Sequence, residues 1–271
     1  MALPERCFGS PPIVKIQLLP SSIDSTGQCS PEQRLTCFVV DDHVAIDAGS
    51  LGIGISDHQR STIRDVIITH PHIDHVASLP IFIDDLFSSL KQPVKIYATQ
   101  DVIDILERDL FNWALYPRFS ELRNDYGRVL EYVQVFPNQE FSVGHLKATA
   151  IPVSHSVPTV GLIISDGTST IAFSSDTAKT DNFWTAVNSE KSIDALFIES
   201  SFPNSMTQLA EASYHLTPRS LQEELAKLER QNLDILAVHI KPTFRKEVIE
   251  ELNALNIPNL RVMKPGIVYE F

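Results

Sequence analysis

Apolar residues fall along most of the chain in short runs rich in Val and Ile, separated by turn-forming residues. The runs at 13–19, 35–40, 44–47 and 66–69 predict strands, so the first third reads mostly as sheet. Over 79–90 the apolar positions change to a helical spacing, and Asp101, ahead of Val102, Ile105 and Leu106, is placed as a helix N-cap. Between 111 and 133 the periodicity weakens and aromatics gather: Phe111, Trp113, Tyr116, Phe119, Tyr126 and Tyr132. That stretch reads either as an aromatic cluster packed on the core or as a lid over a site. Strands resume at 146–153, 160–165 and 170–174, and the runs at 195–199 and 233–239 each lead into a helical segment. Strand content spread over both halves, with helices interspersed, predicts an α/β protein built of two packed sheets with helices outside them. No repeat or linker divides the 271 residues, so 1–271 reads as a single domain.

Composition narrows the function classes. Hydrophobic residues make up 43% and charged residues 21%, which suits a globular core. The net charge of -12 repels polyanions, and the basic residues are scattered rather than grouped in a patch. A small anionic substrate therefore fits better than a long nucleic acid. Cys7, Cys29 and Cys37 are odd in number and lack a C-x-x-C spacing, which predicts reduced thiols in a cytosolic setting. Pro4 and Glu5 stand where a secretory signal would be basic and then apolar, and no later apolar run reaches spanning length. The expectation is a cytoplasmic protein without a membrane partner.

The candidate chemistry concentrates in Thr69-His70-Pro71-His72-Ile73-Asp74-His75, directly after an apolar strand. Zinc prefers imidazole nitrogen with some carboxylate oxygen, and a loop at a strand end lets closely spaced side chains converge on common ions. Three further candidates each end an apolar run: His155 in IPVSHS, Asp176 in IAFSSDT and His239 in ILAVHIKP. Together these make seven potential ligands, enough for two neighbouring ions if one carboxylate bridges them. His43, His58 and His145 lie in polar or turn-rich surroundings and read as solvated or locally bonded; Lys179 and Lys241, beside the ligand strands, read as solvent-facing more readily than as phosphate contacts.

The order H-x-H-x-D-H, His, Asp, His resembles the metallo-β-lactamase superfamily from about Ile13 to the C-terminus. That resemblance implies the αββα sandwich of two mixed sheets and a pair of Zn2+ ions, with Mn2+ or Fe2+ as alternative occupants. It implies that His70, His72 and His155 hold the first ion and that Asp74, His75 and His239 hold the second, with Asp176 bridging. Asp47, in VAIDAGS, matches the family Asp that supports the histidine loop. The stretch FIESSFPNSMTQLAEASYHLTP, with Glu199 and His215, looks like the corresponding segment of class II cyclic-nucleotide phosphodiesterases. The resemblance implies hydrolysis of 3',5'-cyclic AMP or cyclic GMP to 5'-monophosphates, with His215 as proton donor held by Glu199 and Asp74 orienting the attacking water. A homodimer is the assembly common among similar proteins. RNA 3'-processing nucleases of the same superfamily have a related Glu and His, but the acidic balance and the lack of a basic Gly-rich arm weigh against that activity. A non-catalytic, metal-stabilised binding module would more often be thiolate-rich than built from His and Asp.

Overall fold

A computed structural model describes residues 14–230 and 233–271. Cys7, the first residue of the 13–19 run and the reading of the N-terminal segment lie outside the described residues.

Two seven-stranded sheets stack on each other. The first runs in spatial order Val268–Glu270, Lys15–Leu18, Phe38–Val40, Val44–Ile46, Asp65–Ile67, Val94–Ala98 and Leu130–Gln134. Its first three pairings are antiparallel and its last three parallel. The second runs Leu260–Val262, Asp234–Val238, Ala195–Glu199, Thr170–Phe173, Val160–Ser165, Leu146–Pro152 and Glu140–Val143. Here the first three pairings are parallel and the last three antiparallel.

Alternation along the strands makes both faces of each sheet apolar. In the first sheet Phe38, Val40, Val44, Ile46 and Ile67 point into the layer between the sheets, whereas Val39, Ala45 and Val66 point to the outer helices. The rings of Phe173 and Phe197 stack at 4.3 Å at the centre of the inner layer, and Phe38 meets Phe173 edge-on at 5.2 Å. Helices Leu79–Leu86 and Gln100–Ile105 cover the first sheet, and Asn182–Ser189, Pro218–Leu225 and Arg245–Ala254 cover the second. This four-layer α/β/β/α arrangement is the one the strand distribution predicts.

Two local expectations shift. The helix expected over 79–90 ends as Leu79–Leu86 and continues only as a turn. Thr99, not Asp101, holds the N-cap of Gln100–Ile105, because the helix starts directly beyond the strand ending at Ala98; Asp101 lies in its first turn, where its charge favours the helix dipole. Within 111–133, Phe111 and Phe119 are buried in the first sheet's helical layer, whereas Trp113, Leu115 and Tyr126 are exposed. Among the described residues no helix is long and apolar enough to cross a membrane. Cys37 is buried and Cys29 exposed, each as a thiol.

The site is built where the parallel strands of both sheets end. Asp47 follows Val44–Ile46, the histidine loop follows Asp65–Ile67, Asp176 follows Thr170–Phe173, Glu199 closes its strand and His239 follows Asp234–Val238. Asp47, Ser175 and His239 all adopt the left-handed backbone region, with φ of 60°, 54° and 56°. For non-glycine residues that conformation costs on the order of 1–3 kcal/mol and persists only where surrounding contacts enforce it. Gly49 allows the loops to close: a Cβ there would lie 2.0 Å from the Asp74 carbonyl oxygen and 2.7 Å from the Thr36 amide nitrogen.

Candidate active site

Asp47 organises the histidine loop from below. One carboxylate oxygen accepts from the Thr69 amide at 2.9 Å, and the other accepts from His75 Nδ1 at 2.7 Å. The Thr69 hydroxyl adds a contact to Asp47 at 3.0 Å and meets His70 Nδ1 at 3.1 Å. With Nδ1 of His75 committed to a carboxylate, its Nε2 is the nitrogen left to face the site.

The seven candidate ligands converge as two groups. His70, His72, His155 and Asp176 have ligand atoms within 4.8 Å of one another, and so do Asp74, His75, Asp176 and His239. Asp176 belongs to both. Its Oδ2 lies 3.6 Å from His70 Nε2, 3.4 Å from His75 Nε2 and 3.3 Å from His239 Nε2. Asp74 Oδ2 lies 3.2 Å from His239 Nε2. His155 Nδ1 reaches the Tyr214 carbonyl at 3.0 Å, which leaves Nε2 aimed at the first group.

The donors fit divalent ions better than they fit one another. His70 Nε2 is fully buried with no hydrogen-bond partner, a state that normally carries a cost of about 1–3 kcal/mol. Burial and the neighbouring imidazoles hold the His70 ring well below the ordinary imidazole range, which favours the neutral ring with its one free lone pair. Elsewhere ring nitrogen faces ring nitrogen: His75 Nε2 and His239 Nε2 at 3.3 Å, His155 Nε2 and His72 Nδ1 at 3.1 Å. Around His75, burial opposes protonation, but Asp176 and Asp47 outweigh it and raise its proton affinity well above the usual range. Asp74 is also partly buried, yet His239, His75 and Lys241 hold its carboxyl far below the carboxylate range. Orphaned lone pairs beside a surplus of carboxylate mark a place for positive charge, and imidazole with carboxylate is the donor set of zinc-type ions.

A second constellation adjoins both groups. Glu199 is fully buried and accepts from His215 Nδ1 at 2.7 Å, the Thr177 amide at 2.8 Å, the Ser201 hydroxyl at 2.7 Å and the Leu216 amide at 3.2 Å. The His215 ring lies 5.0 Å from the His155 ring and stacks 5.5 Å from the His239 ring. Burial pushes the proton affinity of His215 down, but the Glu199 charge and hydrogen bond outweigh it and raise the group above its ordinary value. Every sequence-derived site residue therefore lies in one connected region.

Some partners were not legible. Ser201 lies 3.0 Å from His239 Nδ1 as well as against Glu199, and its only sequence signal is its position two residues after Glu199. Lys241, expected to face solvent, instead lies 3.4 Å from Asp74 Oδ2. Lys179 pairs with Glu223 at the surface. His145 pairs with Asp41 at 2.7 Å, away from the site.

The beta-lactamase superfamily domain matches residues 54–240 of the chain. The chain belongs to the beta-lactamase superfamily. A Yersinia pestis member, named "Probable 3',5'-cyclic-nucleotide phosphodiesterase", is 30% identical over 226 residues, which cover 73% of this chain and 64% of that relative. The chain thus spans less than two thirds of that relative's length. Among solved structures, the metallo-β-lactamase fold protein YhfI from Bacillus subtilis superposes with a TM-score of 0.74 at 16% identity, covering 96% of this chain and 100% of that one. Unliganded yeast PDE1 superposes with a TM-score of 0.75 at 17% identity, covering 96% and 99%. These superpositions establish the metallo-β-lactamase fold for this superfamily member.

Proposed function

We propose that the chain is a di-zinc phosphodiesterase that hydrolyses 3',5'-cyclic nucleotides to 5'-nucleoside monophosphates. The likeness to the Yersinia pestis relative carries the choice of substrate. In this reading His70, His72 and His155 hold one ion, Asp74, His75 and His239 hold the other, and Asp176 is shared. Bound there, divalent ions supply positive charge to the phosphate oxygens and make a water acidic enough to attack near neutral pH.

The protein residues supply orientation and a proton. Asp47 fixes His75, the Tyr214 carbonyl fixes His155, and the left-handed turns at Asp47 and His239 hold these groups at the strand ends. Asp74 presents a second carboxylate beside His239, from which it orients the attacking water. His215 donates its Nδ1–H to Glu199, so Nε2 is the nitrogen able to carry a proton to the departing 3' oxygen. The Glu199 charge and hydrogen bond, which outweigh burial, shift His215 toward that donor form.

Leaving-group dependence tests the assignment. Replacing His215 with Asn is expected to slow cyclic AMP hydrolysis by ~10²-fold or more. A phosphodiester with a nitrophenolate leaving group, which needs no proton, should lose far less. Equal losses on both would remove His215 as the donor, and a 3'-monophosphate product would overturn the assigned bond cleavage.

A further inference from the structure

Ser201 has one proton and four polar neighbours, and the donor count decides what it does. Its Oγ lies 2.7 Å from Glu199 Oε2, 3.0 Å from His239 Nδ1, 3.0 Å from the His239 carbonyl oxygen and 3.3 Å from His215 Nδ1. Glu199 as a carboxylate only accepts, and it is the nearest and strongest acceptor, so the hydroxyl proton goes to Glu199. The His215 Nδ1 proton is already directed to Glu199 Oε1 at 2.7 Å. What Ser201 offers to His239 is therefore a lone pair, and His239 Nδ1 must be the donor.

We infer that Ser201 is a positioning residue: a buried relay through which Glu199 fixes the tautomer of His239 and leaves Nε2 of His239 to face Asp74 and Asp176. One carboxylate then orients two histidines, His215 directly and His239 through a hydroxyl. The second ligand group becomes evenly backed, because His75 is held directly by Asp47 and His239 is held by Glu199 through Ser201. The left-handed backbone at His239 brings its ring and its carbonyl oxygen to the same hydroxyl; the carbonyl is a second acceptor competing with Glu199 for the one proton, and with either acceptor Nδ1 remains the donor to Ser201.

The inference rests on reading His239 as a metal ligand, and the experiment separates the two. Zinc affinity is measured by chelator competition for the wild type and for His239→Ala, Ser201→Ala and Ser201→Thr. The relay predicts that Ser201→Ala weakens one of the two binding steps ~10–100-fold, the size of effect seen when the hydrogen-bond partner of a ligand is removed, and that Ser201→Thr restores it. A weakened step in His239→Ala with none in Ser201→Ala would overturn the relay alone. No change in His239→Ala would overturn the ligand reading itself. A second readout needs no variant: in the zinc-loaded, 15N-histidine-labelled wild type, His239 should show an Nδ1 proton protected from solvent exchange. Zinc bound through Nδ1, or no protected proton, would overturn the relay even if Ser201→Ala fails to fold.

Discussion

Asp47 and Gly49, two residues apart, show how a short loop can hold a histidine cluster through one carboxylate and one missing side chain. The Asp47 carboxylate accepts from Thr69 and His75, both buried, and neither has a solvent route to a substitute partner. Asp47→Ala is expected to lower metal affinity about 10–100-fold, as loss of a ligand's hydrogen-bond partner typically does, with chelator competition as the measurement. An unchanged affinity would mean that the loop is held by backbone contacts alone. Gly49 acts by absence of bulk, because the Asp74 carbonyl occupies the space a side chain would need. Gly49→Ala should therefore displace the Asp74 loop and lower the urea midpoint, in contrast to an exposed position such as Gly167, where added atoms meet nothing within 4 Å but the positive φ of 94° adds only local strain. The imidazoles and carboxylates of 70–75 were legible in the sequence because four potential ligands fall within six residues, and His155, Asp176 and His239 because each ends an apolar run. Ser201 was not, because serine is common and its partners come from residues 2, 14 and 38 positions away.

At the scale of elements, the strands read with the closest bounds are buried on nearly every residue. Residues 160–165 and 195–199 are almost continuous apolar runs and appear as strands with the predicted bounds. The strands Leu130–Gln134 and Glu140–Val143 have a weak sequence signal because they lie at sheet edges, carry polar residues on one face, and in the first case follow the irregular aromatic stretch. Val94–Ala98 is more central, but the exposed Lys95 interrupts its apolar run. The inner layer depends on large rings from both the first and second sheets, and Phe197 touches Phe38, Phe173 and Phe271. Phe197→Ala should cost about 3–5 kcal/mol, read from denaturant unfolding; a cost below that would mean the two sheets close over the cavity. Pro218–Leu225 starts with a capping box in which Thr217 and Ser220 exchange hydrogen bonds. Thr217→Ala should cost about 0.5–2 kcal/mol, a smaller effect confined to one helix end beside His215.

For the whole molecule, each sheet contributes its parallel strand ends to the same site, so neither half of the chain forms it alone. The histidine loop and Asp47 come from the first sheet, and Asp176, Glu199 and His239 come from the second. That division ties metal binding to the packing of the sheets. Ions bound at this junction should stabilise the fold by an amount that grows with free metal, about 4 kcal/mol at a thousand times the dissociation constant. A thermal midpoint that does not move on addition of zinc would separate the site from the fold. The two-sheet architecture was legible because strand patterns occur in both halves with helices between them, whereas the return of Val268–Glu270 to pair with Lys15–Leu18 was not, since nothing local in three residues specifies a partner about 250 positions away. The most direct test of the central claim is incubation of zinc-loaded protein, with the metal content counted, with 3',5'-cyclic AMP and cyclic GMP, alongside His72→Ala. Release of 5'-monophosphate that is lost in His72→Ala is the predicted result; no turnover of either nucleotide by protein holding two ions per chain would contradict it.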